Sequence, residues 1–292
     1  MEAIELAGLT KRYGSRVGVE ELTLAVPGGA MYGFLGPNGS GKTTTIRVLL
    51  GLLRPTSGAA RVFGLDCWGD SAAIKADIGY LPGDLRMPGW LSCGEALRLF
   101  GRIRKRDLNT RGLELAEAFG LDPALRVNKM SRGTRQKLGL VLALAHDPRL
   151  LILDEPTASL DPLMQQLLYA RLRSAVANGG TVLFSSHTLA EVEDLCSHVS
   201  ILRQSRLVAS DSLEVLRSRV QRRVSIRWRT EEDASRAAPI DCIDWTDRNG
   251  LSWNGLVRGT VADALRWMAA QPLADGSLER PDLTEIFQRF YV

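Results

Sequence analysis

Residues 36–43 run Gly36, Pro37, Asn38, Gly39, Ser40, Gly41, Lys42 and Thr43, which fits the pattern G-x-x-x-x-G-K-[ST]. Glycines at these intervals let backbone N–H groups turn inward around phosphate oxygens, and a helix starting near Lys42 adds the positive end of its dipole. Lys42 is placed to neutralise the β and γ phosphates of a nucleotide, Thr43 to give its hydroxyl to Mg²⁺, and Thr44 stands beside them. The plain alternative is a Gly-rich structural turn. A second set of chemical groups, Asp154 and Glu155, succeeds the apolar run 150–153. Carboxylates directly after a buried strand lie at the carboxyl edge, where ligands bind in doubly wound sheets. Asp154 suits Mg²⁺ through water, and Glu155 suits polarisation of an attacking water, a task that contributes ~10²–10⁴ in rate. The plain alternative for Asp154 is the end of a strand and the cap of the next turn.

The elements that must position these groups are also patterned. Residues 31–35 read as a buried strand entering the Gly-rich turn, and Ile46, Leu49, Leu50 and Leu53 recur at i, i+3, i+4, i+7 behind it. The short apolar runs 150–153 and 181–184 have the look of parallel strands covered on both faces. Asp161 and Pro162 supply an N-cap and a first-turn proline for a helix through about residue 176, which Gly179 and Gly180 end. Short β-like runs at 3–6 and 22–26 predict a small antiparallel layer in front. From about 85 to 148 the strand signal disappears, which predicts an inserted helical subdomain. After about 215 the texture changes: Val224, Ile226 and Trp228 alternate with Ser225 and Arg227, and β-like pieces come next at 240–245 and 251–257. Thr260 with Asp263, and Asp282 with Glu285, then open two helices. The expected fold is α/β in residues 1–215, with a small α+β domain in 216–292.

Composition narrows the classes. A chain of 292 residues is near two domains, and 45% hydrophobic with 24% charged residues excludes wholesale disorder and collagen-like order. A net charge of +4 permits phosphates, anionic lipid or nucleic acid without selecting one. The longest apolar run, 138–145, is far short of the ~18 residues that cross a bilayer. Glu2 and Glu5 oppose a secretory signal, so the cytoplasm is expected. Cys67, Cys93, Cys196 and Cys242 lie far apart with no CxxC pair, which argues against a zinc site or a disulfide framework.

With these motifs the chain resembles the nucleotide-binding subunit of an ATP-binding cassette (ABC) transporter. The signature LSGGQ is matched loosely by Met130, Ser131, Arg132, Gly133 and Thr134, in a helix-opening context backed by Leu138, Val141, Leu142 and Ala145. The resemblance covers residues 3 to about 210 and implies a P-loop NTPase sheet core, ATP and Mg²⁺ as cofactors, and a second cassette as partner. Ser131 and Gly133 would then contact the γ-phosphate held by the other protomer. Tyr13 matches the aromatic residue that stacks on adenine, Asp161 the loop that reaches across the dimer, and His187 the switch histidine at the γ-phosphate. Lys42, Glu155 and His187 are the implied catalytic set. Two departures stand out. Where the family has a glutamine after residues 78–82 this chain has Gly83 and Asp84, so either Asp84 supplies the metal oxygen from one position later or that contact is lost. Arg132 and Thr134 replace glycine and glutamine within the signature, and the bulk and charge of Arg132 bear on dimer closure.

The tail 282–291 resembles the C-terminal helix of ATPase subunits in two-gene ABC exporters of drugs, antibiotics or lipids and polysaccharides. That implies an ATPase, peripheral on the cytoplasmic side of the membrane and expected as a homodimer, driving separately encoded transmembrane permease subunits. Their docking is expected at residues 85–100, with Trp90 and Leu91 either contact residues or core. The Arg-rich stretch 217–229 reads either as a lipid contact or as a solvated strand face. A soluble ABC ATPase of nucleic acid or ribosomes is the first rival. It is opposed by the single motif set and the lack of heptads at 54–130, so no nucleic acid is expected. The second rival is a regulatory cassette that binds ATP without turnover; the altered glutamine position favours it, and Lys42, Asp154, Glu155 and His187 oppose it.

Overall fold

In the computed structural model, which describes residues 1–218, 221–237 and 240–279, the chain begins with β1 (Glu2–Tyr13) paired antiparallel to β2 (Arg16–Pro27). Both strands are longer than the apolar runs that announce them, because register shifts between Leu6 and Leu9 and again at Lys11 let polar stretches keep pairing. β3 (Met31–Leu35) is buried at every position and ends at the Gly-rich turn that opens α1 (Lys42–Leu49). The chain then returns as β4 (Ser57–Val62) beside β1, extended by β5 (Leu65–Asp66), giving a front sheet in the order β2-β1-β4-β5. α2 (Ser71–Ala76) leads into β6 (Ile78–Leu81).

Three helices come next without a long strand between them: α3 (Cys93–Arg104), α4 (Asn109–Ala118) and α5 (Arg132–Leu144). Ser92 and Glu95 fix the start of α3 reciprocally: Glu95 N donates to Ser92 Oγ at 3.3 Å and Ser92 N to Glu95 Oε2 at 2.8 Å. β7 (Leu150–Asp154), α6 (Pro162–Ala177), β8 (Thr181–Ser186), α7 (Leu189–Leu195), β9 (His198–Arg203) and β10 (Arg206–Ser212) complete this part. The second sheet has the order β10-β9-β3-β8-β7-β6, parallel throughout except for the antiparallel edge strand β10. Its strands β3, β7 and β8 are buried along their whole length, which explains the apolar runs 150–153 and 182–184; the polar Asp154, Ser185 and Ser186 fall at the carboxyl ends. One core joins the two sheets, with Leu9 and Leu22 of the front layer packed in the same cluster as Phe34, Ile46 and Ile152. Among the described residues no helix is long and apolar enough to cross a membrane.

The structure divides into two compact units, Met1–Leu213 and Glu214–Val292, with the division inside α8 (Leu213–Ser218). The second unit runs β11 (Arg223–Trp228), α9 (Glu231–Ser235), β12 (Ile243–Asn249), β13 (Ser252–Val257), α10 (Val261–Ala269) and β14 (Leu273–Glu279). The order β12-β13-β11-β14 with antiparallel neighbours is a split βαβ arrangement. Val224, Ile226 and Trp228 point into its core, where Trp228 meets Trp253 edge-on at 5.1 Å between ring centroids. Thr260 caps α10, accepting from Asp263 N at 3.1 Å. The helix expected at 282–291 lies outside the described residues.

Candidate functional site

Parallel pairing brings the ends of three strands to one edge of the sheet. Leu35 of β3 stands opposite Ser186 of β8, and Asp154 of β7 opposite Ser185, so the turns beyond these strands open side by side. A cavity of about 710 Å³ lies there. Its floor is the Gly-rich turn, and two glycines in that turn are obligatory. A Cβ on Gly36 would fall 2.5 Å from the Leu202 carbonyl oxygen, and Gly41 has φ +109° with the Gly18 carbonyl oxygen 2.7 Å from any added Cβ. α1 begins with neither a side-chain cap nor an acidic residue in its first turn, so its leading N–H groups keep their donor capacity. Ser40 Oγ is buried without a hydrogen-bond partner. Lys42 is 5% exposed; its ammonium donates to the Gly36 carbonyl oxygen and lies 3.4 Å from Glu155 Oε1. An orphaned hydroxyl, uncapped amides and a buried cation in one concavity form a donor set that fits a polyphosphate.

The opposite wall is acidic. Asp154 is held at both oxygens, by Thr43 Oγ1 at 2.9 Å and Ser185 Oγ at 2.8 Å. Thr43 and Asp154 together present the hard oxygen donors that Mg²⁺ prefers. The negative charge of Asp154 adds to burial in pushing Tyr80 up to about 12. Glu155 has φ +53°, a left-handed conformation that costs a non-glycine residue roughly 1–2 kcal/mol. That turn aims its carboxylate into the cavity, where Oε2 accepts from His187 Nδ1 at 2.6 Å while Oε1 is buried without a hydrogen bond. Gln136 of α5 donates to the carbonyl oxygens of Glu155 at 3.2 Å and Pro156 at 3.1 Å, tying the helix to this turn.

Tyr13, Pro37, Asn38, Gly39, Ser40 and Gly41 line the cavity with Lys42, Thr43 and Thr44, facing Asp154, Glu155 and His187. Gly36 sits just behind the turn, packed against Ser40. Ser131, Gly133 and Asp161 do not line it. Ser131 Oγ caps α5, accepting from Thr134 N at 3.1 Å, and Asp161 caps α6, accepting from Met164 N at 3.0 Å. Gly133 packs so closely on Ser159 that a Cβ would meet its carbonyl oxygen at 2.6 Å.

The structure does not bring Asp84 to the site. Its carboxylate is 74% exposed and pairs with Arg86 at 2.9 Å, and Gly83 takes the place on the cavity wall. Leu91, weighed as a docking residue, is 2% exposed core, whereas its neighbour Trp90 is 63% exposed. A second, mainly apolar groove of about 390 Å³ is lined among others by Leu52, Tyr80, Leu85, Met87 and Phe100. Residues missed by sequence reasoning include Ser185, which clamps Asp154, Gln136, and the cavity-lining Arg16 and Arg47; Arg132, singled out within the signature, also lines the cavity. Ser185 lies two residues before His187, but only strand register shows that it faces Asp154.

Comparison with known proteins agrees with this geometry. The family profile described as ABC transporter matches residues 19–158. The bacitracin transport ATP-binding protein BcrA of Bacillus licheniformis is 38% identical over 225 residues, covering 74% of this chain and 72% of that protein. Nod factor export ATP-binding protein I of Rhizobium meliloti is 37% identical over 221 residues, covering 73% of this chain and 65% of its own length. The chain thus aligns with about two thirds of the length of these curated relatives. A solved ATP-binding subunit of an ABC transporter matches with a TM-score of 0.70 at 30% identity, over 74% of this chain and 92% of that one. Sequence, fold and the converging motifs agree: the chain belongs to the ABC transporter family, as an ATP-binding cassette with the P-loop NTPase fold.

Proposed function

We propose that this protein is the ATPase subunit of an ABC exporter, a peripheral protein of the cytoplasmic membrane face that dimerises around two ATP and drives separately encoded permease subunits. The observation that carries the reading is the convergence of Lys42 and His187 on the two carboxylate oxygens of Glu155 in one cavity, Lys42 as an ion pair at Oε1 and His187 at Oε2. A triphosphate entering the turn draws the Lys42 ammonium and the free amides of α1, and relieves Ser40 Oγ of its orphaned state. Thr43 and Asp154 are the residues that would hold Mg²⁺, which would supply charge neutralisation at the phosphate oxygens. His187 holds Glu155 by Oε2 and Lys42 pairs with Oε1, so a triphosphate that draws the Lys42 ammonium away would free Oε1 to take a proton from an attacking water. Tyr13, 42% exposed at the rim, offers a ring for the adenine.

Ser131 and Gly133 stand outside their own cavity, which supports their serving the nucleotide of a second copy, with Asp161 at the same interface. The apolar groove beside Leu85 and Met87 is the proposed seat of the permease. The similarity to a Nod factor export ATP-binding protein favours export as the direction. Replacing Glu155 by Gln tests the reading directly. Turnover in the complex with the permease is expected to fall ~10²–10⁴-fold while an ATP-bridged dimer accumulates. Hydrolysis at the parent rate would remove Glu155 from its role, and a parent complex without turnover would favour the regulatory cassette.

A further inference from the structure

Helix α3 carries a surface that nucleotide chemistry does not use. Its side chains fall into three successive i, i+4 pairs, each rotated about 100° from the last. Phe100 and Arg104 line the apolar groove. Leu99 and Ile103 come next and are 42% and 67% exposed, an uncovered apolar ridge. Arg98 and Arg102 stand on its far side, and with Lys105 and Arg106 they border a shallow surface hollow of about 360 Å³. Among the described residues, no carboxylate lies within ion-pair distance of these four cations. The neighbouring acidic groups are engaged elsewhere: Glu95 accepts from Ser92 N, and Asp107 accepts from Asn109 N at 2.9 Å and Asn109 Nδ2 at 2.8 Å. The positive field is felt by the buried His146, which burial first, and then Arg104 and Arg106, push down to about 4.

A partner for this face must be anionic on one side and apolar on the other. Nucleic acid meets only the first condition, since no aromatic ring interrupts the exposed stripe to stack on a base. A basic row flanking an exposed apolar ridge is the pattern of surfaces that lie in a membrane interface. We propose that this face of α3 docks on an anionic lipid bilayer, Arg98, Arg102, Lys105 and Arg106 taking lipid phosphates while Leu99 and Ile103 enter the headgroup layer. The surface adjoins the groove assigned to the permease, so one approach serves both contacts. The inference goes beyond ATP hydrolysis and needs neither nucleotide nor permease.

The test is flotation of the full chain with phosphatidylglycerol-containing vesicles against vesicles of phosphatidylcholine alone. The parent is expected to partition onto the anionic vesicles and to leave them as salt rises. The triple variant R98Q/R102Q/R106Q should lose affinity on the order of a hundredfold, from about 1 kcal/mol per basic residue. Ile103→Ser should lose several-fold with the salt dependence unchanged. A charge-matched variant on other exposed arginines, R61Q/R227Q/R236Q, should bind like the parent, and ATP binding by each variant reports that it is folded. Equal binding to both vesicle types, retained binding by the triple variant, or equal loss in the charge-matched variant overturns the proposal. So does a triple variant that keeps its vesicle affinity but no longer co-purifies with the membrane subunits, because the face then belongs to a protein partner.

Discussion

The nucleotide cavity and the second unit are built on opposite terms. Around the cavity, α1 is uncapped, Ser40 Oγ and Glu155 Oε1 have no hydrogen-bond partner, and Glu155 and Ser159 hold positive φ. Among the described residues, the second unit caps α9 and α10 with threonine and fills its core with edge-on tryptophans, of which Trp228 and Trp267 bury their indole Nε1 without a hydrogen-bond partner. The contrast lies in what could satisfy the unpaired groups. Those at the cavity are ones a charged ligand would satisfy, whereas the two indole N–H groups of the second unit are enclosed in an apolar, aromatic core.

Lys42→Ala is the change that separates the two regions most sharply. It is expected to weaken ATP binding by about 3 kcal/mol, on the order of a hundredfold, while circular dichroism shows the fold retained. Unaltered ATP affinity, measured by calorimetry, would break the contrast. Trp228→Ala reverses the pattern: a loss of roughly 3–5 kcal/mol of stability is expected for the second unit by denaturant titration, with ATP affinity kept. His146 tests the first unit away from its cavity. Its Nε2 donates to the Ile78 carbonyl oxygen, and the folded state keeps the ring neutral down to about pH 4. Below about 6.5 the unfolded chain therefore binds the extra proton, and stability present above that pH is lost progressively as pH falls to about 4, by roughly 3 kcal/mol in all. His146→Gln should flatten that interval of the stability profile. Thr260→Ala, removing a cap in the second unit, has the smallest expected effect, about 1 kcal/mol in thermal unfolding.

The parts legible in the sequence are those whose physics is local. The turn at 36–43 shows in its own residue spacing and in Gly41, whose φ of +109° favours glycine, and buried strands such as β7 advertise themselves by apolar runs such as 150–153. What escaped depends on partners distant in the chain. β4 reads Ser-Gly-Ala-Ala-Arg-Val and β14 Leu-Ala-Asp-Gly-Ser-Leu-Glu, both poor strand formers that are held by pairing with β1 and β11. Strand register places Ser185 against Asp154, and a tertiary contact places Gln136 beneath Glu155. Of the two alternatives open at Asp84 the structure favours the lost contact, since its exposed carboxylate pairs with Arg86 rather than turning to the cavity.

The bonds from Gln136 to the carbonyl oxygens of Glu155 and Pro156 have a mechanical consequence. With Gly133 seated on the Ser159 backbone, they make α5 a lever whose short arm ends at the turn that carries Glu155. Torque applied along that helix therefore reaches the backbone of Glu155 and Pro156 through the buried Gln136 side chain, and that of Ser159 by direct contact.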